Sequence, residues 1–557
     1  LWILDKFDPG NPVYNIGEML YLDGPLDVMA LQESISEIIR RHEVLRTTFA
    51  EKNGRPVQII SAATDFNLET TDLSGEPSTE KTAALEQLAF EEARRPYCLD
   101  RGPLLRASLV RLGESRHALI ITMHHIIFDG WSFDVFYKEL GRLYDAFSSG
   151  AQSPLPDLTI QAADFASWQR EDLQHEVLGA QMSYWTKRLE GIPAAVELPL
   201  SNSRPVRLSY CGARLSRKIP RELIAALAEL SKREGVTLYM TLLSAFLVLL
   251  YRYTDQQDIV IGTPIAGRNR VETEKLLGFF VNTLVIRCGL SGNPGFCDLL
   301  SRVREITLGA YSNQDLPFEM LVEELHPKRD LSRTPFFQIM FAYQGGAADG
   351  IVLRNLEVQR KFIDINTSKF DLTLSIEETV NGDDIASWEF ASELFDPAVI
   401  EDMQEHFLTL LKAIARNPEN TIREYPLLDK KARSRQLFDW NDTRTSYPSS
   451  VTLHQLFEQQ AEKTPSAAAV FIDGDQLDYA ELNARANKLA NRLRSLGIGP
   501  DVLVGICAER SLEMVTGLLG ILKAGGAYVP LDPAYPKDRL AYMLEDAGIN
   551  ILLTQSH

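Results

Sequence analysis

His124 and His125 are the one adjacent pair among the chain's nine histidines, and Asp129 and Gly130 follow closely. A histidine titrates near neutral pH and can take up or orient a proton. An aspartate a few residues on can fix the loop by pairing with an arginine, and a glycine lets another backbone or a ligand approach closely. Such a set suits proton-assisted chemistry in a cleft. The same pair would also serve as ordinary structural histidines at a strand end, and spacing alone leaves both readings open. A metal centre is disfavoured, because neighbours on a strand point to opposite faces and no third ligand is evident.

The elements that must position these residues are legible in the pattern around them. Leu104–Leu112 and Ala118–Met123 are apolar, β-rich runs separated by a polar turn starting at Gly113, which predicts neighbouring antiparallel strands. The histidines leave the second run, where a sheet can hold the backbone while side chains project into a cleft. Ser132 is the expected N-cap of a helix bearing Phe133, Phe136, Tyr137, Leu140 and Tyr144 on one face. Helices are also expected over Leu26–His42, Lys81–Arg95, Arg221–Glu234, Leu238–Tyr253, Ser301–Ser312 and Ile400–Arg416. Strands are expected over Asp258–Gly262, Phe336–Tyr343 and Phe370–Glu377. Strands and helices interleave to about residue 425, which predicts two α/β lobes. Leu427–Val451, with its basic cluster and Tyr447-Pro448-Ser449-Ser450, reads as a linker before a new α/β pattern.

The chain has 557 residues, enough for three or four folding units, and 45% are hydrophobic, so a disordered chain is excluded. Its 57 Lys+Arg against 76 Asp+Glu give a formal charge of -19, which argues against nucleic-acid binding. No apolar run reaches about 18 residues, so no membrane span is expected. Cys98, Cys211, Cys288, Cys297 and Cys507 are scattered, as for reduced cytosolic thiols, and a cytoplasmic location is expected. The chain starts at Leu1 without a leader and ends in a strand-like Asn550–His557. These ends suggest a piece of a longer polypeptide.

Met123–Ser132 (MHHIIFDGWS) resembles the HHxxxDG motif of the condensation domains of non-ribosomal peptide synthetases. Further stretches resemble that family's motifs in the same order. They are Leu1-Trp2, Arg41–Phe49 (RHEVLRTTF), Asp164–Trp168 (DFASW, with Phe165 where the family usually has Tyr), Ile261–Arg268 (IGTPIAGR) and Gly278–Arg287 (GFFVNTLVIR). Gln314–Glu319 (QDLPFE) and Arg329–Phe341 (RDLSRTPFFQIMF) complete the set, with Asn313 where many members carry His.

The resemblance implies an α/β fold of two chloramphenicol-acetyltransferase-like lobes in a V-shaped pseudo-dimer, residues 1–180 and 181–426, with the histidine loop at their junction. A linker, 427–452, and a truncated α/β adenylation-type subdomain, 453–557, would follow. It implies peptide-bond formation, in which the amine of one carrier-bound aminoacyl group attacks an acyl or peptidyl thioester on an upstream carrier. His125 is then the catalytic candidate and His124 supports the loop. Asp129 is structural, paired with Arg46 or Arg268, Gly130 lies where the carrier-borne arm passes, and Trp131 anchors the loop by packing. The implied partners are upstream donor and downstream acceptor carrier domains and the rest of an adenylation domain in cis, with neither nucleic acid nor membrane. No cofactor or metal is implied for the condensation unit itself, since 4'-phosphopantetheine is carried by the partners.

Leu477–Leu482 (LDYAEL) and Leu522–Pro533 (LKAGGAYVPLDP) resemble the first two motifs of adenylation domains, and both also read as scaffold, with Gly525-Gly526 ending a helix. ATP and Mg belong to a complete adenylation domain. The chain lacks the phosphate loop ending in Lys and any Walker-type motif, so it is expected not to adenylate an amino acid. Among rivals, an epimerisation domain shares HHxxxDG but would not precede an adenylation start, and a heterocyclisation domain would carry Asp in place of the leading histidines. A free-standing acyltransferase would lack the fused adenylation start. A non-catalytic platform that binds carrier domains is the alternative from a different class.

Overall fold

The computed structural model describes every residue except 173–176, 328, 329, 331, 345–350, 380–382 and 557, and of residue 172 it describes the backbone only. Arg329 and Leu331 of the RDLSRTPFFQIMF stretch and the terminal His557 therefore lie outside the described residues. The chain forms two compact units, Leu1–Leu437 and Phe438–His557.

In the first unit the strands that matter here are β1 (Asn15–Asp23), β2 (Glu69–Asp72), β3 (Leu105–Arg111), β4 (Arg116–His124), β5 (Gly212–Ile219) and β6 (Asp258–Ile265). They continue with β7 (Asn282–Gly289), β8 (Ile339–Gln344), β9 (Glu357–Phe362), β10 (Leu372–Glu378) and β11 (Asp384–Ala391). Two mixed sheets result, one in the order β9-β1-β4-β3-β2 and the other β5-β11-β10-β8-β6-β7. In the first sheet β3 and β4 are antiparallel neighbours, Leu105 opposite Met123. β4 sits mid-sheet and is buried at every position after Arg116. That burial on both faces explains why its sequence is a continuous apolar run and not an alternating one.

Helix α1 (Val28–Arg41) is capped by Asp27, whose side chain accepts from Ala30 N. Leu31, Ile35 and Ile38 face inward, while Arg40 and Arg41 complement the dipole in the last turn. It packs beside α2 (Gly130–Phe147), and their shared core includes Leu31, Ile35, Leu119, Ile121, Phe136 and Leu140. The second sheet is covered by α3 (Leu238–Thr254), buried continuously from Met240 to Tyr251, and α4 (Pro397–Arg416). Phe246 of α3 meets Phe341, Trp388 and Phe407 in an aromatic cluster. Among the described residues no single helix is long and apolar enough to cross a membrane.

The two sheets are not built from two separate stretches of chain. β9 leaves the second half of the unit and pairs antiparallel with β1 of the first sheet, Phe362 opposite Glu18. Its Arg360 donates through Nε to the Glu18 carboxylate at 2.6 Å, and the Tyr137 hydroxyl of α2 donates to the same group. Glu18 is buried, which pushes its carboxyl above the usual range while Arg360 and Tyr137 pull it back.

In the second unit, β12 (Leu503–Cys507), β13 (Ala527–Leu531) and β14 (Leu552–Thr554) form a parallel sheet in the order β13-β12-β14. Helices α5 (Tyr479–Ser495) and α6 (Leu512–Ala524) bury Ala490, Leu493 and Ile521 against Val504 and Ile506. Gly525 ends α6 in the left-handed conformation at φ 93°, a position that favours glycine.

Replacing Arg360 by Met leaves Glu18 buried without its cation. The expected loss is about 2 kcal/mol, below the roughly 3–5 kcal/mol of a fully buried pair because Arg360 still reaches water. Adding Glu18→Gln should recover part of it, as read by urea denaturation.

Candidate active site

β4 delivers His124 as its last residue, with His124 N donating to Leu104 O at 3.0 Å. A 3-10 turn, His125–Ile127, follows, and Ile126 N donates to His124 Nδ1 at 3.1 Å. That bond makes Nδ1 of His124 an acceptor, so the ring caps the turn as a neutral imidazole. Tyr14 and Tyr97 flank it, with ring centroids 6.4 and 6.1 Å away. Burial pulls its pKa down from 6.5 to about 4, helped by the positive charge of Lys369.

His125 is tied differently. Its Nδ1 lies 2.8 Å from Phe128 O, and a carbonyl can only accept, so Nδ1 carries the proton and Nε2 keeps its lone pair. Phe279 stands edge-on to the ring at 5.2 Å and 82°. The residue is half-buried. Burial drives its pKa down to about 3, with Lys369 next in effect and the Phe128 bond opposing. At neutral pH His125 is therefore an uncharged hydrogen-bond acceptor. Lys369 itself lies over the Tyr14 ring at 5.3 Å, and burial lowers its own pKa.

The loop is pinned from below by Asp129, which is 0% exposed. Its Oδ1 accepts from Ser132 N at 2.9 Å, Ser132 Oγ at 2.7 Å and Arg268 Nη2 at 3.1 Å. Its Oδ2 accepts from Phe280 N at 3.0 Å. Asp129, not Ser132, is thus the N-cap of α2, because the longer carboxylate reaches back to the first-turn N–H and to the Ser132 hydroxyl together. Arg268 donates to Leu276 O at 2.7 Å and lies 4.2 Å over the Phe280 ring. Burial lowers the pKa of its guanidinium while Asp129 raises it. Gly267, at φ 64°, allows this crossing, since a Cβ there would lie 2.0 Å from Phe280 O.

Of the two arginines expected at Asp129, the structure brings Arg268 to it. Arg46 instead bonds Glu43 at 3.3 Å within its own 3-10 turn, Glu43–Arg46, and the Ser61 carbonyl. Neither partner belongs to the histidine loop. Trp131 is 43% exposed and donates from Nε1 to Glu274 O at 2.9 Å, so it anchors by a hydrogen bond more than by packing. Gly130 is exposed, and a Cβ there would meet only Gln344 Nε2, at an ordinary 3.6 Å. Among the described residues nothing requires glycine at this position.

Sequence reasoning missed a second support. His42 lies 3.0 Å from Glu139 through Nε2, and its Nδ1 accepts from Leu277 N at 3.3 Å. Arg41 holds the same Glu139 in a two-point pair. The signal was present in the RHEVLRTTF stretch as two adjacent basic residues at a helix end, but their partners lie far off in sequence.

Two outcomes follow from this geometry. Arg268→Met strands a fully buried carboxylate and is expected to cost about 3–5 kcal/mol, with Asp129→Asn in the same chain costing less than the two singles summed; denaturant midpoints test both. His125 should show the neutral Nδ1–H tautomer by nitrogen NMR at every pH from 5 to 8, and Lys369→Met should raise its midpoint. The sign for stability is fixed: the unfolded ring takes its proton below 6.5 while the folded one does not until about 3, so the fold loses stability as pH falls through that window.

The condensation-domain family model matches residues 1–437, and the AMP-binding enzyme model matches 457–557. A linear gramicidin synthase of Brevibacillus parabrevis is 48% identical over 560 residues, covering all of this chain and 11% of that protein. The chain thus spans about a tenth of that relative's length. A holo four-domain nonribosomal peptide synthetase bound to AMP and glycine superposes over the whole chain and 42% of its own length, with TM-score 0.87 and 22% identity. The first condensation domain of the calcium-dependent antibiotic synthetase, in complex with a substrate analogue, covers 77% of this chain and 97% of its own, with TM-score 0.66 and 22% identity. Those two likenesses establish the α/β, chloramphenicol-acetyltransferase-like fold. By sequence family over most of its length, this chain belongs to the condensation domains of non-ribosomal peptide synthetases, continued by the opening part of an AMP-binding enzyme.

Proposed function

We propose that the first unit catalyses amide-bond formation between two carrier-borne groups. The amine of an acceptor aminoacyl thioester attacks the carbonyl carbon of a donor acyl or peptidyl thioester; the C–N bond forms, the C–S bond breaks, and the departing thiolate receives the proton the amine gives up. The reading rests most on His125, an imidazole whose Nδ1–H is tied to Phe128 O and whose Nε2 lone pair remains for a substrate. A conjugate acid near 3 is several pK units too acidic to strip an ammonium directly. His125 therefore acts by accepting a hydrogen bond from the neutral amine and so aiming its lone pair at the thioester carbon, while the proton that the nitrogen gives up after attack passes to the departing thiolate. The burial and Lys369 charge that keep His125 uncharged act equally on an ammonium brought beside it, and favour the nucleophilic amine.

A thioester is already activated, so neither substrate need be bonded to the protein, and holding the two in attack geometry supplies much of the rate. Asp129 and Arg268 hold the loop, His124 caps its turn, and the exposed Gly130 suits passage of a phosphopantetheine arm. The organisation that goes with this activity is a lobe at 1–180, a lobe at 181–426, a linker at 427–452 and the start of an adenylation domain at 453–557. Carrier domains upstream and downstream, and the remainder of the adenylation domain in cis, are its partners. ATP chemistry belongs to that complete domain, and the proposed location is the cytoplasm.

The test loads donor and acceptor carriers with amino acids and follows the acceptor-bound dipeptide by mass spectrometry. His125→Ala is expected to lower its rate about 10²–10⁴-fold. A wild-type rate no faster than the carriers alone would favour the non-catalytic platform, and full activity in His125→Ala would remove the role given to this residue.

A further inference from the structure

The run Leu276–Phe280 crosses from the second half of the unit to the histidine loop, and its backbone is held at successive residues. Leu277 N donates to His42 Nδ1, Gly278 N to Ser132 Oγ at 3.1 Å, Ser132 Oγ to Gly278 O at 3.0 Å, and Phe280 N to Asp129 Oδ2. Leu276 and Leu277 are each 1% exposed and Gly278 is buried. Phe280 lies under the Arg268 guanidinium and against Phe165 at 5.2 Å. Phe279 alone in this run is 38% exposed, and its inner edge rests on the His125 imidazole. Phe280 is held under the Arg268 guanidinium while its neighbour Phe279 stands exposed. The result is a large apolar ring presented next to the His125 imidazole, whose Nδ1 is already bonded to Phe128 O.

Resting on the condensation reading above, we infer that Phe279 forms one wall of a subsite for an apolar side chain on the amine-bearing, acceptor aminoacyl group. The amine that hydrogen-bonds His125 is directly attached to the carbon bearing that side chain, so a ring in contact with the imidazole lies within reach of it. Covering the exposed face of Phe279 with an apolar side chain removes two apolar surfaces from water, and the held backbone means that little ordering is lost on binding. A small acceptor such as a glycyl group leaves the ring wet and gains none of this. The residue is a specificity-determining one: it takes no proton and makes no bond.

The experiment compares leucyl and glycyl pantetheine amides, unreactive mimics of the acceptor arm, for binding to the full chain and to Phe279→Ala and Phe279→Leu. Preference for the leucyl amide is expected in the unaltered chain at about tenfold, the low end of what a single methylene is worth in an enclosed apolar pocket, because one ring covers only one side of the side chain. It should vanish in Phe279→Ala and persist in part in Phe279→Leu, while the neutral Nδ1–H signature of His125 stays in all three. A ratio that is unchanged by Phe279→Ala overturns the inference, including the case where both amides weaken alike, which is what mere propping or drying of His125 would give. Because the amides do not react, this outcome is independent of whether the chain condenses carrier-bound groups. Failure of the dipeptide assay with an intact Phe279-dependent preference would remove the reaction and leave the subsite.

Discussion

A single carboxylate with no exposure to water, that of Asp129, is the constraint on which the rest of the site depends. Removing a charge from water costs several kcal/mol unless its lone pairs are filled by good donors. Here they are filled from three places in the chain: the first turn of α2, the Arg268 guanidinium and the Phe280 amide. Each donor is useful only where it stands, so satisfying one carboxylate fixes the helix start, the Gly267–Arg268 crossing and the Leu276–Phe280 run together. The histidine loop, which runs directly into Asp129, inherits that fixity.

Within the loop, two neighbouring residues of the same type have opposite uses because the strand ends between them. His124, still in β4, turns its Nδ1 to the turn it caps. His125, one step beyond, gives its Nδ1–H to a carbonyl three residues on and leaves Nε2 free. Both rings are held uncharged by the same burial and by the same Lys369. Chemistry that needs a cationic acid at this point is therefore disfavoured, and chemistry that needs a placed acceptor is favoured.

What the sequence made legible was local. The β4 run announced a buried strand by its uninterrupted apolar residues, and the helix expected over Leu26–His42 is α1, Val28–Arg41. The motif around His124 and His125 carried the family resemblance, hence the fold and the catalytic candidate. What stayed hidden was made by pairing over distance. Arg46 and Arg268 look alike in sequence, and only tertiary packing, across 139 residues, assigns Arg268 to Asp129. The edge strand β9 is mostly polar and exposed, so nothing in its pattern marks it as the strand that the second half lends to the first sheet. The N-cap was misjudged at Ser132 because both residues are good caps and only the observed geometry ranks them.

The economy of polar groups at the site follows from the kind of reaction it is suited to. Aminolysis of a thioester needs no protein nucleophile, so one free imidazole nitrogen is enough, provided it does not move. Displacement by about 1 Å can cost on the order of a hundredfold in rate, and a lone histidine on a loop would be free to make such a displacement. The ion pair at Asp129, the Glu139–His42–Leu277 bridge and the β9 crossover all join sequence-distant parts of the first unit. None of them supplies an atom to the reaction. They hold the histidine loop in one place, which the proposed transfer between carrier-borne groups requires.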